Sequence, residues 1–325
     1  IPETIGLFFK SIWYNMVEEI IQARNVSKFF KNAKAVNDLS FSVQKGDVYG
    51  FLGQNGAGKS TMIRMLLTLI KPTKGSIKYF GKDLSTHRID ILKRVGAIIE
   101  KPDVYKYLSA YQNLSLFAKL SGINPSRKAL MDELYRVGLQ GREFDKVKTY
   151  SQGMKQRLGI AIALIHGPEI IILDEPTNGL DPQGIADIRN LILYLHRDRK
   201  KTILISSHLL SEIEQVATRI LIIDKGKKLV EGEAETLLDP ANTVIEIKTG
   251  NIENTLVKMH ESQWNQYVQA GNENAIKLKM HNKDIPALHQ WMVQNGIEVI
   301  SLIPRHSLED LFLQVTSGKN YVETI

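Results

Sequence analysis

The stretch "GQNGAGKS", residues 53–60, constrains the fold of this chain more than any other. Gly53 and Gly58 bracket four residues ahead of Lys59 and Ser60, the pattern of a phosphate-binding loop. Such a loop works between a buried strand and a helix. Its glycines let backbone N–H groups face phosphate oxygens, and the helix adds its positive end. The flanks fit: "DVYGFLG" (47–53) reads as a strand entering the turn, and "TMIRMLLTLI" (61–70) as the helix leaving it. Lys59 can then reach the β- and γ-phosphates of a nucleotide, and the Ser60 hydroxyl can hold Mg²⁺. Gln54, Asn55, Gly56, Ala57 and Thr61 complete the candidate loop contacts.

"IIILDE" (170–175) supplies the complement. A continuous apolar strand delivers Asp174 at its carboxyl end, where it can hold the metal through water. Glu175 follows, placed to polarise an attacking water. Paired carboxylates after a strand often do no more than cap a helix, but here "DEPTNGLD" continues the motif. "TILISS" (202–207) and "RILIID" (219–224) are further all-apolar or near-apolar strands. Strands of this kind are buried on both faces, as in a parallel sheet covered by helices. The fold class is therefore α/β, with a mostly helical lobe over residues 107–166 inserted into the sheet domain.

Composition removes other classes. The chain has 325 residues, 43% of them hydrophobic, enough for one large core and a smaller second unit. It has no cysteine, which excludes disulfides, thiolate metal sites and cysteine catalysis. Net charge is +7, but the basic clusters "RDRKK" (197–201) and "KGKK" (225–228) are short and scattered, the pattern of solvated surface rather than a nucleic-acid patch. No apolar run is long enough to span a bilayer. Residues 1–15 read as an upstream extension, an interfacial helix being the alternative, and Met16 opens the main domain. Pro240 ends a helix and places a boundary there, giving a main, nucleotide-handling domain at 16–240 and a small accessory domain at 241–325. In the latter, "TVIEIK" (243–248) and "AIKLKM" (275–280) alternate as half-buried strands, and "DIPALHQWMVQNG" (284–296) has a helical period.

"YSQGMKQR" (150–157) has no chemistry of its own, yet lies between two nucleotide-handling segments. Together with those segments it resembles the ATP-binding subunits of ABC transporters, the match running over residues 20–235. The family's signature, usually written LSGGQ, falls here: Ser151 and Gly153 match it, while Gln152 and Met154 depart from the commonest letters. The resemblance implies a P-loop domain with an antiparallel β subdomain beside the parallel core. It implies ATP and Mg²⁺ as cofactors, ATP hydrolysis, and a head-to-tail homodimer in which each signature closes over the partner's ATP. It also implies separate polytopic permease subunits, which would hold the chain at the cytoplasmic side of the cell membrane. Phe30 falls where an aromatic stacks on adenine, with Phe29 as the alternate register and a core role open to both. Asp181, in "NGLDP", resembles the loop aspartate that links the two sites across the dimer. His208, in "ISSHLL", matches the switch histidine that contacts the γ-phosphate.

One position departs from the common pattern. "VGAIIEKPDVY" (95–105) has Glu100 where most of the family has a glutamine near the metal and the attacking water. Glutamate there resembles the exporter ATPases of bacitracin-type resistance and lantibiotic immunity, as do "GMKQRLGIA" (153–161) and "RHSLEDLFLQV" (305–315). Glu100 thus joins Ser60 and Asp174 as a candidate metal ligand. The rival readings are a soluble ABC ATPase acting on ribosomes or DNA, and the ATPase of an importer. Translation-type members carry two cassettes, whereas one motif set occurs here, and the span from Lys59 to Asp174 leaves no room for a long coiled-coil insertion. Importers usually keep the glutamine. The cargo is not written in this chain.

Overall fold

The computed structural model describes residues 18–31, 33–238, 243–272, 275–305 and 308–316; the expected extension at 1–15 and Pro240 lie outside them. In chain order the strands are β1 (Glu19–Phe30), β2 (Ala33–Gln44), β3 (Val48–Leu52), β4 (Lys74–Tyr79), β5 (Lys82–Asp83), β6 (Val95–Ile98) and β7 (Ile170–Asp174). They continue with β8 (Thr202–Ser207), β9 (Arg219–Asp224), β10 (Lys227–Glu233), β11 (Val244–Thr249), β12 (Val268–Asn272), β13 (Ala275–Lys279) and β14 (Val299–Arg305). The chain forms two compact units that divide between Gly232 and Glu233.

The first unit is built on a six-stranded sheet of order β10-β9-β3-β8-β7-β6, parallel from β6 through β9. Its central strands, VYGFL, IIILD and TILISS, are buried at every position, as their largely apolar character leads one to expect. A two-residue turn, Lys225 and Gly226 with φ of 46° and 77°, joins β9 to β10; positive φ at both positions is what a tight hairpin needs. An antiparallel sheet of order β2-β1-β4-β5 stands beside it.

The helix Lys59–Leu66 lies in the core shared by the two sheets. Met62, Ile63, Met65 and Leu66 pack in one cluster with Ile21, Val36 and Leu39 of the antiparallel sheet and Phe51, Ile170 and Leu204 of the parallel one. Each such side chain contributes about 1.5–3 kcal/mol by leaving water. The phosphate-loop helix is therefore fixed from both sides. It is shorter than the expected 61–70: it stops at Leu66, and Thr68 turns to φ 59°. Leu69 N donates to Arg64 O and Thr68 N to Met65 O, at 2.9 and 3.1 Å, so a Schellman cap closes the helix with threonine where glycine is usual.

Between β6 and β7 the chain leaves the sheet for a lobe of three helices, Ala110–Leu120, Arg127–Arg136 and Gln152–Leu164. Each is capped at its start by a serine: Ser109, Ser126 and Ser151. Gly159 of the third helix admits Pro102, since a Cβ there would lie 2.6 Å from the proline ring. The missing side chain seats the loop that follows Glu100 against the lobe.

The second unit runs β11, helix Ile252–His260, β12, β13, helix Ile285–Gln294, β14, with all neighbouring strands antiparallel in the order β12-β13-β11-β14. This is the split βαββαβ arrangement of ferredoxin-like folds. Ile245, Ile247, Ile276 and Leu278 of the sheet pack with Met259 and Met292 of the helices to make its core.

Candidate active site

The parallel register brings three strand ends level. Leu52 pairs with Ser207 and Asp174 with Ser206, so Gly53, Glu175 and His208 emerge side by side at the carboxyl edge of the sheet. That edge is where open α/β sheets place ligands. A cleft of about 1130 Å³ opens there, lined among others by Gln54, Lys59, Ser60, Glu100, Glu175 and His208.

The loop between β3 and its helix has the geometry that its glycines predict. Gly58 sits at φ 109°, and a Cβ on it would fall 2.4 Å from Ala35 O, so no other residue fits. Gly58 is also the N-cap of the helix and offers no side-chain acceptor, which leaves the first N–H groups free for phosphate. Ala57 is buried beneath the loop, and its carbonyl accepts from Gly226 N at 2.9 Å. Lys59 is buried as well. Its Nζ donates to Gly53 O at 2.6 Å and Gln54 O at 3.3 Å, and lies 3.2 Å from Glu175 Oε1. Asn55, Gly56, Ser60 and Thr61 line the cleft around it.

At the end of β7, Asp174 is fully buried, and its Oδ1 accepts from Ser206 Oγ at 2.6 Å. The other oxygen, Oδ2, is buried with no hydrogen-bond partner. An orphaned carboxylate oxygen is costly unless something satisfies it, and a hydrated cation is such a partner. Among the described residues no cluster of three or more His, Cys, Asp or Glu could hold a metal. A single carboxylate and a hydroxyl, with water and phosphate oxygens supplying the rest, is how Mg²⁺ is usually held, so these residues fit that ion.

Glu175 takes a left-handed φ of 49°, a conformation that costs about 1–3 kcal/mol in a side-chain-bearing residue. Its N–H is anchored on Ser206 Oγ and Ser206 O at 3.0 and 3.2 Å. The turn aims the carboxylate back into the cleft, where Oε2 meets His208 Nδ1 at 2.6 Å while Oε1 faces Lys59. Lysine, glutamate and histidine from three separate loops thus form one chain of contacts.

The other expected residues are placed less centrally. Glu100, at φ 58°, lines the cleft, but its carboxylate is paired with Arg64 Nη2 at 2.6 Å and its side chain is 62% exposed. Phe30 ends β1 half in solvent with Lys28 Nζ 5.2 Å from its ring centre; Phe29 is more buried, and among the described residues of this hairpin it is Ala35 that lines the cleft. Ser151 caps the third lobe helix, accepting from Met154 N at 3.2 Å, and is exposed. Gln152 reaches the same cleft, while Gly153 has open space around it, the nearest atom to a Cβ there being 3.9 Å away. Asp181, exposed, caps the helix Pro182–Arg197 by accepting from Gly184 N at 3.0 Å. Sequence reasoning missed Ser206, Arg64 and Gln156, which is buried, lines the cleft and has an unpartnered Nε2. Ser206 was discoverable only through strand register. The Asp181–Pro182 pair, by contrast, is a helix start that the sequence spells out.

A phosphate-binding loop with strand-end carboxylates on a parallel sheet, flanked by an antiparallel sheet and an inserted helical lobe, defines a P-loop nucleotide hydrolase of the ATP-binding-cassette type. The ABC transporter family model matches residues 36–178. The chain is 42% identical over 300 residues to the bacitracin transport ATP-binding protein BcrA of Bacillus licheniformis, covering 92% of this chain and 98% of that protein. It is 43% identical over 214 residues to the lantibiotic transport ATP-binding protein SrtF of Streptococcus pyogenes, covering 66% of this chain and 91% of that one. In fold it is similar to the dimeric ATP-binding cassette MJ0796 bound to ADP and Pi, with a TM-score of 0.60 and 24% identity, covering 66% of this chain and 99% of that one. The chain belongs to the ABC transporter family of ATP-binding proteins, and its activity is that of an ABC-type ATPase.

Proposed function

We propose that the chain is the ATPase of an exporter whose membrane-spanning subunits are separate polypeptides, and that the cargo is a peptide antibiotic of bacitracin or lantibiotic type. The observation that carries this reading is the end-to-end similarity to a bacitracin transport protein, which extends through the second unit. Glu100 at the head of its loop supports it. Among the described residues no helix is long and apolar enough to cross a membrane. Membrane subunits would therefore hold the chain at the cytoplasmic face. Residues 101–113 are the proposed contact, with Tyr107 80% exposed and Tyr105 and Tyr111 partly engaged with Phe117 and Phe144. Residues 241–325 serve as an accessory domain.

In this reading two copies pair head to tail around ATP; that the similar cassette MJ0796 is dimeric supports the pairing. The loop Gly53–Thr61 holds the phosphates and Phe30 stacks on adenine. Ser60 and Asp174 would hold Mg²⁺, and Glu100 is the further candidate on the cleft wall. The metal, when bound, offsets the charge of the β- and γ-phosphates. A γ-phosphate competes with Glu175 for Lys59, and this releases the carboxylate to polarise the attacking water. His208 contacts the γ-phosphate and keeps Glu175 oriented. Ser151, Gln152, Gly153 and Met154 close over the partner's ATP, and Asp181 links the two sites.

The test is to express the chain with its candidate membrane subunits in a bacitracin-sensitive strain. The expected result is co-purification of the complex and raised resistance to a bacitracin- or lantibiotic-type peptide, lost in Glu175→Gln. Recovery of the protein on ribosomes or DNA, with no membrane partner, would overturn it in favour of the soluble reading; uptake without efflux would favour an importer.

A further inference from the structure

Two turns proposed to face the second copy, at Ser151 and Asp181, are joined inside one chain. A Cβ on Gly153 would lie 3.9 Å from Gly184 Cα, and one on Gly179 would lie 3.7 Å from Gln152 Nε2. With no side chain between them, the start of the signature helix rests on the start of the helix that Asp181 caps. One helical turn further along each, Arg157 Nη1 meets Asp187 Oδ2 at 2.7 Å. The remaining oxygen of Asp187 accepts from Gln183 Nε2 at 2.9 Å, a donor in the first turn of the same helix. The arginine passes beside the glycine turn that ends the preceding lobe helix, where a Cβ on Gly138 would lie 3.7 Å from Arg157 Nη1.

Arg157 and Asp187 are only 21% and 32% exposed, so the pair is less screened by water than an ordinary surface bridge. The lobe is an insertion between β6 and β7 whose third helix packs on β6 and on the helix Pro182–Arg197, and a polar tie between the two helices would fix their register. We propose that the Arg157–Asp187 pair, steadied by Gln183, is that tie: it sets the register between the lobe and the Asp181 helix, so that Ser151 and Asp181 meet the second copy as one preformed face. Neither residue is among those lining the cleft; both are positioning residues. Without the pair, the two turns must be brought together during association, and that ordering weakens binding. The inference rests on the head-to-tail dimer of the proposed function.

The test uses the full chain carrying Glu175→Gln, so that ATP is bound but not consumed. Dimerisation with ATP is measured by sedimentation for the parent, for Arg157→Ala, for Asp187→Ala, and for the exchanged pair Arg157→Asp with Asp187→Arg. The single variants should dimerise about tenfold more weakly, and the exchanged pair should recover most of that loss. Binding of ATP to each monomer should be unchanged, because the loop Gly53–Thr61 lies on other elements. Dimerisation of the single variants at parental strength would remove the tie, as would an exchanged pair no better than the singles, or a loss confined to monomer ATP binding. A parent that stays monomeric would remove the dimer reading as well, which separates the two failures.

Discussion

Glu175 is where the site's interactions converge, since its carboxylate meets both Lys59 and His208 while its backbone is held in a strained turn by Ser206. The carboxylate pair was legible in the sequence because a motif fixes it. The serine beneath it was not, because its role depends on which strand lies next to β7. Glu100 shows the same limit: its position was legible, its pairing with Arg64 was not. An exposed pair of this kind is worth only about 0–1 kcal/mol, so Arg64 does not hold the Glu100 carboxylate firmly at the cleft wall. Glu100→Gln removes one negative charge from the cleft that Glu175 also lines, and leaves the backbone as it is. It is expected to keep substantial ATPase activity with a changed Mg²⁺ dependence, checked by Mg²⁺ titration of turnover. Superimposed titration curves would place Glu100 outside the metal's surroundings.

The signature helix begins at a serine whose hydroxyl already has a local task, capping Met154 N. Ser151→Ala is therefore expected to cost about 1 kcal/mol of stability besides any effect on the second copy. Gly153 is the cleaner probe. A Cβ there meets nothing closer than Gly184 Cα at 3.9 Å, an ordinary contact distance, and an acidic residue suits the first turn of a helix. Gly153→Asp should leave the melting temperature and ATP binding of the monomer nearly unchanged while abolishing ATP-driven dimerisation. Loss of monomer binding with an intact fold would mean that the turn serves its own site. At this scale the sequence announced most elements but not all their ends. The apolar period of residues 61–70 continues past Leu66, and only the backbone reversal at Thr68, held by its Schellman bonds, stops the helix. Threonine carries no stop signal of the kind a glycine would.

Across the whole molecule the first unit was readable because its motifs sit at strand ends, though the strand order that brings those ends level was not. The second unit offered only alternation and one helical period. Those patterns located β11, β13 and the helix Ile285–Gln294, but the order β12-β13-β11-β14 arises from pairings far apart in sequence. The central claim concerns two molecules rather than one: two copies close around ATP, and Glu175 then drives hydrolysis. It is tested most directly by sedimentation of the Glu175→Gln chain with and without Mg-ATP, alongside its turnover. The account predicts a doubling of mass that needs ATP, together with loss of most turnover. A protein that stays monomeric with ATP bound, or that hydrolyses it at the wild-type rate, would contradict it.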